Sequence, residues 1–136
     1  MTDKEIIEGN KKIAEFMGAT FKDISRVNYP KGYKEWEAKF PKGREFNHYG
    51  TIGDLISKYT KYHSSWDWLM PVVAKIESLE SKERWMIEIV AGDCYLYTNN
   101  SGEYFKHIGN NKIESVYSVV VQFITWYNSQ SNNNQQ

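Results

Sequence analysis

The chain has 136 residues, enough to bury one core without disulfide or metal staples. Its 17 basic and 17 acidic side chains cancel, so no whole-chain field draws it to nucleic acid or to an anionic membrane. No apolar run approaches the roughly 18 residues of a membrane span. The lone Cys94 excludes an internal disulfide and fits a reducing compartment, and MTDKEIIEGN lacks the basic start and apolar block of a signal peptide, so the expected location is cytoplasmic.

Residues 2–17 read as a first helix. Thr2 and Glu5 have capping-box spacing, Ile6, Ile13, Phe16 and Met17 fall on one side, and Gly18 offers a C-terminal stop. Residues 19–50 are less regular. Phe21, Ile24 and Val27 suit a strand or an irregular segment. YPKG at 29–32 and FPKG at 40–43 place proline second and glycine fourth, as type I turns do, with YKEWEAKF between them as a short strand or helical turn. From Lys22 to Arg44 seven basic residues face three acidic ones, interleaved with Tyr29, Tyr33, Trp36 and Phe40. Ile52, Leu55, Ile56 and Tyr59 make the apolar side of a short helix.

The stretch 62–79, YHSSWDWLMPVVAKIESL, is the expected central helix. Ser64 or Ser65 with Asp67 suits an N-terminal cap, and Leu69, Val72, Val73, Ile76 and Leu79 share one face, which Trp66 and Met70 extend. Pro71 costs about 3 kcal/mol inside a helix, so either the helix starts near Met70 with Pro71 at its first position or it kinks there. A start near Ser65 with a bend is favoured because it orders the backbone that buries the aromatic pair. Trp66 and Trp68 lie about 200° apart on a helix, so one belongs in the core and the other at a surface groove, unless both fill the core between two layers.

Residues 83–90 then read as a strand with Trp85, Ile87 and Ile89 on one side and Met86 and Val90 on the other, which implies a sheet covered on both faces. Gly92-Asp93 suits a tight turn to CYLY at 94–97; a second turn at 99–102 leads to YFKHI at 104–108. Asn111 and Glu114 cap the strongest helix, in which Ile113, Val116, Tyr117, Val120, Phe123, Ile124 and Tyr127 keep 3/4 spacing. Burying such a face contributes roughly 10–20 kcal/mol before entropy is counted. The fold expected is α+β, a short antiparallel sheet with helices on both faces, or three-layer α/β/α sandwich. It forms a single domain over 1–128 with an aromatic and basic insertion at 29–50, and 129–136, SQSNNNQQ, is a disordered polar tail.

The order helix, hairpin, helix resembles the phage ABA (α/β/α) sandwich domain, in which a tyrosine and a small polar pair open the first of these helices and an alanine- or valine-rich helix closes the domain. YHSSWDWLMPVVAKIE and KIESVYSVVVQFITWYN also look like segments of uncharacterised phage and prophage proteins of Bacteroidetes. The resemblance covers about residues 60–128. It implies fold and origin, and brings no catalytic residues with it. The insertion before the central helix and the Trp66/Trp68 pair depart from that pattern.

No motif carries chemistry. His48, His63 and His107 are isolated in sequence, so a metal centre would need tertiary convergence. Ser64 and Ser65 beside His63 belong to a helix entry, Cys94 reads as a small buried residue, no phosphate-cradling loop is present, and Glu77 and Glu80 suit a solvated helix face. The expectation is a non-enzyme without cofactor. It is a small phage-type accessory protein that binds a host or phage protein in the host cytoplasm, as an inhibitor of a bacterial defence or regulatory factor. The alternative is a weak single-stranded nucleic-acid binder, with Tyr33 and Trp36 stacking on bases and Lys31, Lys34, Lys39, Lys42 and Arg44 on phosphates. Glu35 and Glu37 interrupt that stripe. Trp68 and Trp36 are the expected anchors for a protein partner.

Overall fold

The computed structural model describes residues 1–79, 84–98 and 104–133. The start of the strand expected from residue 83, the turn at 99–102 and Glu80 lie outside those residues. The chain forms two compact units, Met1–Lys61 and Tyr62–Gln136, where the sequence pointed to one domain. The reason lies in the segment read as an insertion: it builds a sheet of its own. Both units are α+β, with helices packed on antiparallel strands.

The first unit opens with α1 (Asp3–Phe16), held at its start by the expected capping box between Thr2 and Glu5. Three strands follow, β1 (Thr20–Asp23), β2 (Lys34–Phe40) and β3 (Arg44–Gly50), in the order β1-β2-β3. The register sets Phe21 beside Ala38, Ala38 beside Phe46 and Trp36 beside His48. Phe21, Trp36, Ala38, Phe40, Phe46 and His48 therefore share one face. Tyr59, at the end of α2 (Ile52–Tyr59), lies 4.0 Å from the Phe46 ring and 5.6 Å from His48, centre to centre. Leu55 and Ile56 of α2 and Ile13 and Ala14 of α1 are buried.

The two PKG turns depart from type I. Lys31 and Lys42, third in their turns, have φ of 58° and 69°, where type I holds about −90°. Each is followed by a glycine at positive φ, Gly32 at 75° and Gly43 at 76°. A lysine in this region is strained by its Cβ; the hairpin joining β2 to β3 accepts that strain at Lys42.

In the second unit α3 (Trp66–Glu77) starts where expected and continues through Pro71. Its cap differs. Ser65 makes no side-chain bond, and its carbonyl receives the Trp68 and Leu69 N–H groups instead. Leu69, Val72, Val73 and Ile76 are buried, but Trp66 and Met70, placed on that face by the sequence reading, are exposed. Met70 sits one residue, about 100°, round from Leu69.

Strands β4 (Trp85–Val90), β5 (Asp93–Thr98) and β6 (Tyr104–His107) form the second sheet in that order. The β4–β5 turn is Ala91-Gly92, one residue earlier than expected, since Val90 pairs with Asp93. Helix α4 (Lys112–Asn133) packs on β5 and β6, opened by the Glu114 N–H donating to Asn111 Oδ1 at 3.1 Å. The Trp85 ring meets Phe123 at 4.9 Å and Trp126 at 5.4 Å. The two faces of this sheet are unequally covered. Trp85, Cys94 and Leu96 are buried under α4, whereas Met86, Glu88, Val90, Tyr95, Tyr97, Tyr104 and Lys106, on the other face, are all partly or fully exposed. The apolar Met86 and Val90 share that face with Tyr95, Tyr97 and Tyr104, and the Tyr97 hydroxyl donates to Glu88 Oε2 at 3.3 Å. Finally, α4 runs on to Asn133, so residues 129–133 are helical where a disordered tail was expected; 134–136 are outside the described residues.

Candidate functional site

The first sheet has a second, outer face. Ile24 N–H donates to the Glu35 carbonyl at 2.8 Å, extending the β1–β2 pairing by one residue. Glu35 pairs with Tyr49 and Glu37 with Asn47, so Ile24, Glu35 and Tyr49 form one row across this face and Lys22, Glu37 and Asn47 the next. A cleft of about 580 Å³ opens here, lined by Ile24, Arg26, Glu35, Asn47 and Tyr49, and by His48, a residue whose side chain the register turns to the inner face.

The segment 25–33 is folded against that floor by specific bonds. Ser25 N–H donates to Asp23 Oδ1 at 2.9 Å, and Ser25 Oγ accepts the Glu35 N–H at 2.8 Å. The Tyr29 hydroxyl donates to Glu35 Oε1 at 2.9 Å. That bond holds the phenolic proton in place and pushes the Tyr29 hydroxyl above its usual range. The Tyr29 ring meets Tyr49 edge-on at 5.0 Å, and Tyr33 stacks on Tyr49 at 5.8 Å and 17°. Tyr49 is still 57% exposed. Arg26 makes no ion pair among the described residues. The cleft thus sets one cation and one oriented carboxylate around an aromatic wall.

The residues expected to form a site are not brought together. Trp36 lies on the inner face, its Nε1–H donating to the Gly50 carbonyl at 3.2 Å. Arg44 shares that face, with its guanidinium 5.8 Å from the Phe40 ring centre. Lys39 is on the outer face, 3.7 Å from the Glu37 carboxylate. Lys42 caps the hairpin turn, six residues of strand, or about 20 Å, from the Tyr33 end. Only Tyr33 comes near the cleft, by stacking on its lining residue Tyr49. Trp68 lies in the other unit, half-buried against Tyr62 at 5.1 Å.

Sequence reasoning missed Arg26, Glu35, Asn47 and Tyr49. Each becomes a neighbour of the others only through the strand register. Of the two tryptophans the first, not Trp68, is the more exposed. Trp66 is 40% exposed and Met70, one turn on, is 44% exposed, with the exposed Pro71 and Ala74 beside them and Asp67 and Glu77 flanking.

Cys94 is buried, and burial pushes its thiol up to about 11, which leaves almost no thiolate at neutral pH. Its cross-strand neighbour His107 forms no hydrogen bond with it. No three His, Cys, Asp or Glu side chains come together among the described residues. No helix among the described residues is long and apolar enough to cross a membrane.

No family model matches the chain, and no curated protein and no solved structure matches it. The functional reading rests on the residues themselves.

Proposed function

We propose that the chain acts by binding a protein partner through the exposed face of α3, as a phage-type accessory protein in the host cytoplasm that restrains a defence or regulatory factor. The observation that carries the binding part is Trp66, an aromatic of large area left 40% exposed with Met70 one turn below it. Tryptophan and methionine are enriched where proteins meet, and the part of each left in water adds nothing to the fold. Asp67 and Glu77 border the pair, and residues 62–136 hold eight acidic and five basic side chains. The partner surface is therefore an apolar pocket rimmed by lysine or arginine. The phage origin is supported by the resemblance over residues 60–128.

A random peptide library selected on the intact chain tests the site. Selected peptides should combine apolar and basic residues and lose at least about tenfold in affinity to Trp66→Ala, an effect of hot-spot size. The same substitution removes a ring that is more than half buried and should cost about 1–3 kcal/mol of unfolding free energy, with circular dichroism checking that the variant still folds. Peptides that bind wild type and Trp66→Ala alike would remove the reading.

A second reading, single-stranded nucleic acid along 29–44, is favoured by the Tyr33–Tyr49 stack. Glu35, Glu37 and Glu45 share the face of Lys39 and oppose it.

A further inference from the structure

We infer that the cleft on the outer face of the first sheet is a binding site for a guanine nucleotide. This goes beyond the protein-partner reading and uses residues of the other unit.

The recognition set is chemically complete. At about 580 Å³ the cleft falls within the roughly 300–1,000 Å³ of small-ligand sites. Arg26 and Glu35 line it with opposite charges and are not paired with each other. A simple anion would meet the Glu35 carboxylate, and a simple cation would meet Arg26. The ligand must carry an anionic end for the guanidinium and a hydrogen-bond-donating end for the carboxylate. The exposed Tyr49 ring, braced by Tyr29 and Tyr33, adds an apolar aromatic contact beside Glu35, its cross-strand partner.

Among the nucleobases, guanine alone presents two adjacent donors, N1–H and the N2 amine, to a single carboxylate. Adenine turns its N1 lone pair toward the same oxygens and is repelled. Cytosine and uracil offer one donor beside an acceptor. The Tyr29 hydroxyl occupies only one of the acceptor positions of Glu35 and fixes the plane of the carboxylate. Asn47, one row along the same face, supplies an amide for the remaining base edge, and Arg26 takes the phosphate. Tyr29 is thus a positioning residue, and Glu35, Arg26 and Tyr49 make the contacts.

Isothermal titration of the intact chain at low salt tests this with guanosine monophosphate, adenosine monophosphate, guanosine and inorganic phosphate. Guanosine monophosphate should bind saturably, with the adenine nucleotide at least about tenfold weaker, the scale of one bidentate base contact. Arg26→Met should lower guanosine monophosphate to the level of guanosine and leave guanosine unchanged. Glu35→Gln should erase the preference for guanine over adenine. Circular dichroism of each variant checks that it folds. A uridine hexamer with one guanosine, set against the all-uridine hexamer, separates the two sources of this chemistry. Tighter binding than the free nucleotide points to a single strand, and weaker binding to the mononucleotide. Equal affinity for the guanine and adenine nucleotides, no heat with any guanine probe, or an unchanged Arg26→Met would overturn the proposal. None of those results touches Trp66.

Discussion

Asp23 closes the first strand with its carboxylate accepting the Ser25 backbone N–H, a bond from the Ser25 side chain, and Lys34 Nζ at 3.1 Å. All three favour the ionised form, and they hold the carboxyl at about 2 against an ordinary 3.8, with the Ser25 bonds ahead of the ion pair. The folded value lies below the unfolded one. The contribution to stability is therefore full above about pH 4 and disappears as pH falls through about 2. Carboxyl-resolved NMR should find Asp23 titrating near 2, with Ser25→Ala and Lys34→Met each moving it up but leaving it below 3.8, because both variants keep the Ser25 backbone N–H, the largest cause. A return to 3.8 in Lys34→Met alone would mean that the ion pair dominates. At this scale the sequence was least informative. Trp66 and Trp68 are two residues apart in identical company, and only the first turn of α3 decides which one packs on Tyr62. The positive φ of Lys31 and Lys42 could not be read either, because lysine carries no preference for that region.

Elements were far more legible. The 3/4 spacing located α1, α2, α3 and α4, and alternation located the β4–β5–β6 meander, because each signal is local and repeated. The first sheet was not legible as a sheet. β1 is four residues long, and its pairing with β2 across the 24–33 segment depends on tertiary closure. The tie between the β4–β5 turn and the approach to α4 is another nonlocal feature. A Cβ on Gly92 would fall 2.3 Å from the Gly109 carbonyl oxygen and 2.8 Å from Asn110 backbone atoms. The Gly109 N–H meanwhile donates to Asp93 Oδ1 at 3.0 Å, holding that segment across the turn. Backbone cannot swing aside as a flexible side chain does. Gly92→Ala should therefore cost about 3 kcal/mol, at the upper end for overpacking, measured by urea unfolding. A loss under about 1 kcal/mol would show that the 109–110 segment yields freely.

For the whole molecule, neutrality concealed a division. Residues 1–61 carry twelve basic and nine acidic side chains, and residues 62–136 carry five and eight. Composition could not reveal this, because the boundary at Lys61 is set by contacts rather than by a Pro- or Gly-rich linker. The chain's single cysteine gives a direct reading of how firmly the second unit is closed. Cys94 is buried on the α4 side of its sheet, and its thiol is pushed up to about 11 from an ordinary 9.0 by burial. Here the folded value is the higher one. Burial favours the neutral thiol, so this preference for the folded state is full below about 9 and lost as pH rises through about 11. A thiol reagent at pH 8 should accordingly modify Cys94 only through opening of the unit. Phe123 is fully buried between Trp85, Phe105 and Trp126. Phe123→Ala removes about 3–5 kcal/mol of packing and should raise the labelling rate by two orders of magnitude or more, since each 1.4 kcal/mol is about tenfold. Tyr127, one turn further along α4 and 39% exposed, is the control, and Tyr127→Ala should change the rate by less than about tenfold. If the wild-type thiol reacted as fast as a free cysteine, or if both variants accelerated it alike, α4 would not be what seals Cys94.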